Sequence, residues 1–523
     1  MAGEHNVPKD LFEMVPSSQL SAWAKDPKAV QEATLLDICA RAKDTEFGRE
    51  HDFCGIRSAE DFRVRVPVTG FDDYRGAIER MKRGEGDILF TGPASYFAVT
   101  SGTTGEAKFI PDSPTGEQVK DLVVRYRRQE TGRLIAQGAP DTRFEGAKAF
   151  VIVNSGTYSM TEGGIPAGAA SGRTAAQSKQ SPLIIVPAYL FDSVDVSTES
   201  MNYVDVLMSV ANRDVVGAIL NNVAHFHTLW SQFTDEPAPY ISDIRNGTIS
   251  CDLSPESRCE LEAAWKADPE RADELEALVA SPDGLTVEGV WPRFGYVRCW
   301  LAGSVGRFAE EFRGLFPERT LWLDWGYGAS EGKFNIPCMP GSPAGYPAVF
   351  GYYFEFLRPG EEVPLTLEET CAGERYELVV TSYSGLYRYN IHDLVEIGQT
   401  ADGAKTMHFV CKTSDKVTIA GHTLFSGDVI DLVRDFEAAH PASFLHAFRA
   451  KVEEDGLVMY VEPSGELDDS AFAAFATERL ATYGIRLHRV ERLDAGAGDA
   501  AMIVRDAERV KTVNSTKVQI FMH

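Results

Sequence analysis

Apolar and polar positions fall into three successive patterns along the chain. Residues 8–95 mix apolar and charged positions and read mostly as helices. From 96 to about 320, short apolar runs alternate with charged stretches. The runs at 96–99, 147–153, 183–190 and 215–220 predict buried strands, and 117–137 and 256–280 predict helices. Such alternation argues for a layered α/β domain. Next come closely spaced strands, expected at 320–327, 352–357, 376–382, 386–397, 407–411 and 416–419. Beyond 412 the pattern changes to a helix at 427–439, a hairpin of 448–452 and 457–461 turned at Asp455-Gly456, and a helix at 469–481. This predicts a small α/β domain of roughly 110 residues. The boundary is placed at 412–415, giving domains 1–411 and 412–523.

At 523 residues, with 44% hydrophobic and 24% charged positions, the chain has the balance of an ordinary globular protein of more than one core. A net charge of −26 argues against nucleic acid or an acidic membrane as partner, because binding phosphate backbones needs a basic face. It leaves room for a small anionic ligand, since local charge can oppose the global sign. The eight cysteines are scattered without a CxxC pair, as expected of free thiols in a reducing cytoplasm. The start of the chain has no apolar signal core, and no run of about 18 apolar residues predicts a membrane span.

The most telling local feature is Thr100-Ser101-Gly102-Thr103-Thr104-Gly105, followed by Lys108 and preceded by the apolar run at 96–99. Glycines let backbone N–H groups converge on one anion, and hydroxyls and a lysine add donors and charge. That suits a polyphosphate. The spacing is not that of a P-loop, which needs Gly-Lys-Ser/Thr after four intervening residues. A second segment, Tyr327-Gly328-Ala329-Ser330-Glu331-Gly332, follows a predicted strand. Its tyrosine can lie flat on a purine and its glutamate can hold Mg²⁺. It is also a formal G-x-S-x-G, but the prolines at 337, 340 and 343 oppose the helix that a nucleophilic Ser330 would need. A third segment, Gly385 to Asp393, ends in a carboxylate able to accept ribose hydroxyls. A fourth, Cys411-Lys412-Thr413-Ser414-Asp415, is a charged link suited to a hinge. His225 and His227 are two apart and diverge on a helix, and no zinc spacing occurs.

Taken in order, Thr100–Lys108, Ala302-Gly303-Ser304-Val305, Tyr327–Glu331, Tyr387–Asp393 and Lys412 resemble the nucleotide motifs of the acyl-adenylate-forming superfamily. The chain is most similar to the auxin-responsive acyl acid amido synthetases, the Gretchen Hagen three family, in a bacterial form. Arg63-Val64-Arg65-Val66-Pro67-Val68, Phe71-Asp72-Asp73-Tyr74, Thr161–Pro166, Tyr353-Phe354-Glu355-Phe356 and Leu386-Tyr387-Arg388 carry that closer resemblance. It implies an α/β, luciferase-like fold with a large N-terminal domain and a small mobile C-terminal lid. It also implies an ATP- and Mg²⁺-dependent, AMP-forming ligase that joins a small carboxylic acid to an amine, often an amino acid.

By position, Ser101, Gly102, Thr103, Thr104 and Gly105 would cradle phosphate with Lys108 nearby. Gly303, Ser304, Val305 and Tyr327 would flank adenine, with Gly328, Ala329 and Ser330 in the same segment. Glu331 would hold Mg²⁺, Asp393 would bind ribose beside Lys412, and Lys517 would be the adenylation lysine. Two departures stand out: His392 occupies a usual glycine position, and Gly421-His422-Thr423 replaces Gly-Glu-Lys. An acyl-CoA ligase and a nucleotide-binding protein without turnover are the alternatives.

Overall fold

The computed structural model describes residues 12–100, 107–152, 159–168, 183–186, 196–493, 503–504, 517–518 and 520–522. These fall into two compact units. The first comprises 1–300, 314–391 and 396–408, and the second 301–313, 392–395 and 409–523.

Five helices fill most of 17–82, as the charged N-terminal pattern predicts. The strands Tyr96–Thr100 and Lys108–Asp112 pair antiparallel on either side of the glycine-rich run, with Thr100 opposite Lys108. The long helix then spans Pro114–Gly138. It starts earlier than the apolar pattern indicates. Ser113 caps it, its Oγ accepting from Gly116 N at 2.8 Å, and Pro114 sits in the first turn, where no N–H is needed. Four strands, Lys148–Val151, Val215–Ile219, Tyr296–Cys299 and Leu321–Asp324, lie side by side in that order, all parallel. Their short apolar runs are those of strands buried on both faces.

Four expectations need correction. Residues 183–186 form no strand, and the rest of that predicted run lies outside the described residues. The single helix expected at 256–280 is two, Pro255–Ala264 and Pro269–Val279, because Pro269 cannot continue a helix and Asp268 caps the second. The strand expected from 386 begins at Tyr389, since Arg388 has φ +49° and closes a turn. The hairpin turn at Asp455-Gly456 falls one residue earlier, on 454–455, with Gly456 already paired to Glu453.

A seven-stranded sheet runs in the order Leu365–Thr366, Tyr352–Leu357, Arg375–Ser382, Tyr389–Gln399, Lys405–Lys412, Gly345–Pro347, Asn335–Pro337. Helix Lys28–Ala42 is pinned to it by Gln31, whose amide donates to the Val349 and Tyr352 carbonyls and accepts from Phe354 N. Beside it lies a buried charge cluster. The Glu355 carboxylate accepts from Arg388 Nε at 2.9 Å, Arg388 Nη2 at 3.0 Å and Arg63 Nε at 3.0 Å. Arg388 Nη1 donates to the Val66 carbonyl at 2.7 Å. Next door, Tyr74 OH donates to the Tyr387 carbonyl and accepts from Tyr387 N, both at 2.9 Å. The motifs at 63–68, 71–74, 353–356 and 386–388 therefore meet at one place, and that place is structural.

The second unit contains a sheet ordered Arg486–Arg492, Gly456–Pro463, Leu445–Glu453, Phe521–Met522. Helices Ser426–Ala439 and Asp469–Ala481 pack on it through Phe436 and Phe472, whose rings meet edge to face at 4.9 Å. Among the described residues, no helix is long and apolar enough to cross a membrane.

Removing Glu355 leaves the buried Arg388 and the half-buried Arg63 guanidinium without their shared acceptor. Glu355→Ala is expected to lower unfolding free energy by about 3 kcal/mol or more. Denaturant titration checks this. A loss below about 1 kcal/mol would show that the cluster is not a structural anchor.

Candidate active site

In the first unit the site grows from the end of the last parallel strand, Leu321–Asp324. Asp324 Oδ1 accepts from Gly326 N at 2.6 Å and starts a sharp turn. Gly326 has φ +91°, and a Cβ there would lie 2.5 Å from Arg127 Nε, so only glycine fits. Arg127, from the long helix, donates through Nε to the Asn335 carbonyl at 2.9 Å and through Nη2 to the Tyr327 carbonyl at 2.6 Å. Asn335, fully buried, accepts from Tyr327 N at 2.6 Å and donates to the Met407 carbonyl, also at 2.6 Å. Tyr327 is thus held at both its N–H and its carbonyl. Its ring leans on Phe334, with centroids 5.2 Å apart.

Residues 328–333 form a tight reversal. Gly328 bridges to Lys333, and Ala329 N donates to the Gly332 carbonyl at 2.9 Å. Ser330 and the buried Glu331 occupy its tip. Strand Asn335–Pro337 follows, so Ser330 lacks the helix that a nucleophile elbow requires, and the hydrolase reading is set aside. Lys120 Nζ fixes the tip from the long helix, donating to the Ser330 carbonyl at 3.1 Å and pairing with Asp112 Oδ2 at 2.7 Å. Ser384 Oγ donates to the other oxygen of Asp112 at 2.6 Å. Asp112 ends the strand that begins at Lys108, whose amine lies 5.1 Å from the Phe71 ring centre.

Lys333 adds a titrating group. Burial, with Arg127 and Lys120 as neighbouring cations, pushes its pKa down to about 7. An amine half neutral at pH 7 can take up or give a proton there.

The second unit holds the other candidates. Gly303 has φ +61°, and a Cβ would come within 3.0 Å of the Phe409 ring. Ser304 and Val305 lead into helix Gly306–Glu311. Buried Arg307 of that helix donates to Glu437 Oε1 at 2.9 Å and to the Leu445 carbonyl at 3.0 Å, so this segment is anchored to the C-terminal residues. Asp393 is buried and ion-paired with Lys412. His392 has φ +56°, the left-handed region that glycine enters without strain, and its side chain is exposed. Thr413 N donates to the His392 carbonyl at 2.9 Å. His422 and Thr423 lie on a strand paired back on Lys416–Ile419. Lys517 lies in a two-residue strand paired with Ile503–Val504. Ser101 to Gly105 and the Lys517 side chain lie outside the described residues.

Residues 17–321 match the GH3 family N-terminal domain, and 347–412 match the GH3 family central domain. The chain belongs to the GH3 family. It is 26% identical over 424 residues to jasmonoyl–L-amino acid synthetase JAR6 of Nicotiana attenuata, covering 75% of this chain and 70% of that one. It is 26% identical over 415 residues to indole-3-acetic acid-amido synthetase GH3.3 of Arabidopsis thaliana, covering 73% and 66%. Its fold is that of the solved AtGH3.15 acyl acid amido synthetase in complex with 2,4-DB, with a TM-score of 0.78 over 98% of this chain and 96% of that one at 20% identity. The α/β fold expected from the motifs is thereby established as that of the solved acyl acid amido synthetase.

Asp112, Lys120, Arg127, Lys333 and Asn335 escaped the motif reading. Lys333 had a signal, sitting two residues beyond Glu331. The helix cations had none, because their distance from 327–333 in sequence is large.

The depressed pKa of Lys333 makes a testable statement. Between about pH 7 and the ordinary lysine value of 10.5, the unfolded chain binds the extra proton. The destabilisation is therefore full below pH 7 and fades as pH rises. Lys333→Met is expected to raise the melting temperature most at or below pH 7, with the gain shrinking toward pH 10. A gain independent of pH would assign the effect to packing.

Proposed function

We propose that this GH3 family member is an ATP-dependent, AMP-forming ligase that activates a small carboxylic acid and passes its acyl group to an amine, an amino acid in the simplest case. The family match over 17–321 and 347–412 carries the reading, since the named relatives are amido synthetases that act on jasmonate and indole-3-acetate. In the first step a carboxylate oxygen attacks the α-phosphorus of ATP. The bond to the β-phosphate oxygen breaks and pyrophosphate leaves. In the second the amine nitrogen attacks the acyl carbon, the carbon–oxygen bond to AMP breaks with its electron pair, and the amine gives up a proton.

The first step brings two anions together, so fixed donors and positive charge must offset their repulsion. Ser101 to Gly105 would supply phosphate donors, with Lys108 beside them. The clamped Tyr327 and the segment 303–305 would flank adenine, with 328–330 alongside, and Asp393 with Lys412 would take the ribose hydroxyls. Glu331 offers one carboxylate at the tip of a fixed turn, and no cluster of three such ligands occurs among the described residues. That donor set suits Mg²⁺ held jointly with phosphates, not in a protein cage. Bound there, Mg²⁺ would neutralise phosphate charge. Residues 412–523 would act as a lid that excludes water from the labile adenylate, with Lys517 assisting adenylation. A cytoplasmic setting matches the ATP supply.

Pyrophosphate release from Mg-ATP, measured across a panel of carboxylic acids with hydroxylamine as acceptor, tests this. Acid-dependent release with a hydroxamate product is expected. ATP binding without release for any acid would overturn turnover, and release that needs coenzyme A would move the chain to the thioester ligases. Glu331→Gln is expected to lower kcat about 100-fold while melting stays close to wild type. An equal loss of stability and activity would make Glu331 a structural residue.

A further inference from the structure

Among the described residues, Arg298 has no hydrogen-bonded side-chain partner that accounts for its burial. It is the penultimate residue of the parallel strand Tyr296–Cys299 and only 5% exposed. Its Nε has no hydrogen-bond partner among the described residues. The guanidinium carbon lies 4.0 Å from the ring centre of Trp325, the first residue beyond the neighbouring strand. Burial and the nearby Arg127 push the pKa of Arg298 down to about 9, and Asp324 opposes this. A guanidinium held out of water without a hydrogen-bonded anion is costly, and structures retain such a group where a ligand completes it.

The surroundings describe that ligand. Trp325 is half-buried, and its indole N–H donates to the Leu220 carbonyl at 2.7 Å, so the plate supporting the arginine is fixed across three strands. Beneath, on the same face of the sheet, Tyr296 and Leu323 pack with Leu134 in an apolar cluster. The carboxyl ends of parallel strands are where α/β sheets take ligands. Tyr327 follows Trp325 by two residues, which puts the arginine beside the candidate adenylation segment. A planar fork on an aromatic plate over apolar side chains matches an organic carboxylate better than a polyphosphate.

We propose that Arg298, supported by Trp325, binds a carboxylate of a substrate that does not react. It is either the α-carboxylate of an amino acid acceptor or the second carboxylate of a dicarboxylic acid donor. The reacting carboxylate is excluded because it loses its charge on adenylation. This inference rests on the ligase reading above for the identity of the substrates, but not for the existence of the anion site.

Two measurements on the full chain test it. The first is the melting temperature of wild type and Arg298→Met without ligand, then with each L-amino acid, with a series of dicarboxylates and with inorganic phosphate. The ligand-free variant is expected to melt higher, since a buried charge only partly offset by Asp324 has been removed, and a carboxylate-dependent rise is expected in wild type alone. A lower-melting variant, a rise with phosphate only, or no rise with any carboxylate would overturn the proposal, even if no ligase activity is found. The second is steady-state kinetics of Arg298→Lys and Arg298→Gln. A KM increase of about 10- to 100-fold is expected for one carboxylate substrate. An increase for the amino acid assigns the acceptor, and an increase for the diacid with hydroxylamine as acceptor assigns the donor. A KM change confined to ATP would overturn it.

Discussion

The first unit depends on one buried carboxylate. Glu355 gathers Arg388 and Arg63, and the fork of Arg388 reaches on to the Val66 carbonyl. This ties the chain after helix Ala59–Arg65 to two strands of the large sheet, hundreds of residues away in sequence. Low surrounding dielectric makes such contacts strong only when every donor is matched, so the cluster tolerates little displacement. Its consequence is positional. Arg388 takes a left-handed backbone, Thr69 then pairs with the strand that starts at Tyr389, and that strand carries Asp393.

The candidate site applies the same physics to a larger set of charges. Around 327–333 the cations Arg127, Lys120 and Lys333 lie among the carboxylates Asp112, Asp324 and Glu331, and Arg298 stands behind Trp325. A chain of net charge −26 thus keeps buried and half-buried cations where polar groups converge at the end of a parallel sheet. Burial disfavours the charged form and so makes these cations stronger acids, and the lowered pKa values of Lys333, Arg127 and Arg298 all follow from it. Anionic substrates meeting there would relieve the mutual repulsion of the cations, which is the electrostatic requirement of a carboxylate attacking a phosphate.

Departures from the family pattern become intelligible in backbone terms. His392, where the resemblance leads one to expect glycine, stands at φ +56°, and its exposed side chain leaves the strain in the backbone. Gly421-His422-Thr423, where the resemblance leads one to expect Gly-Glu-Lys, lies on a regular hairpin, so the difference touches the side chains and leaves the strand intact.

Sequence alone determined the elements and the order of the motifs. Apolar periodicity is local, so the strands at 96–100 and 352–357, the long helix and the second-unit hairpin were readable, as was Glu331 beside Tyr327. It could not separate motifs that build the frame from those that form the site. Leu386-Tyr387-Arg388 and Tyr353–Phe356 resemble the family as strongly as 327–331 does, yet they form a buried ion-pair cluster. Nor could it find Asp112, Lys120, Arg127 or Arg298. Which charges end up sharing a low-dielectric space depends on strand order and on the helix laid across it, and hydrophobic pattern carries no record of long-range pairing. Tertiary structure decided that, and with it the chemistry of the site.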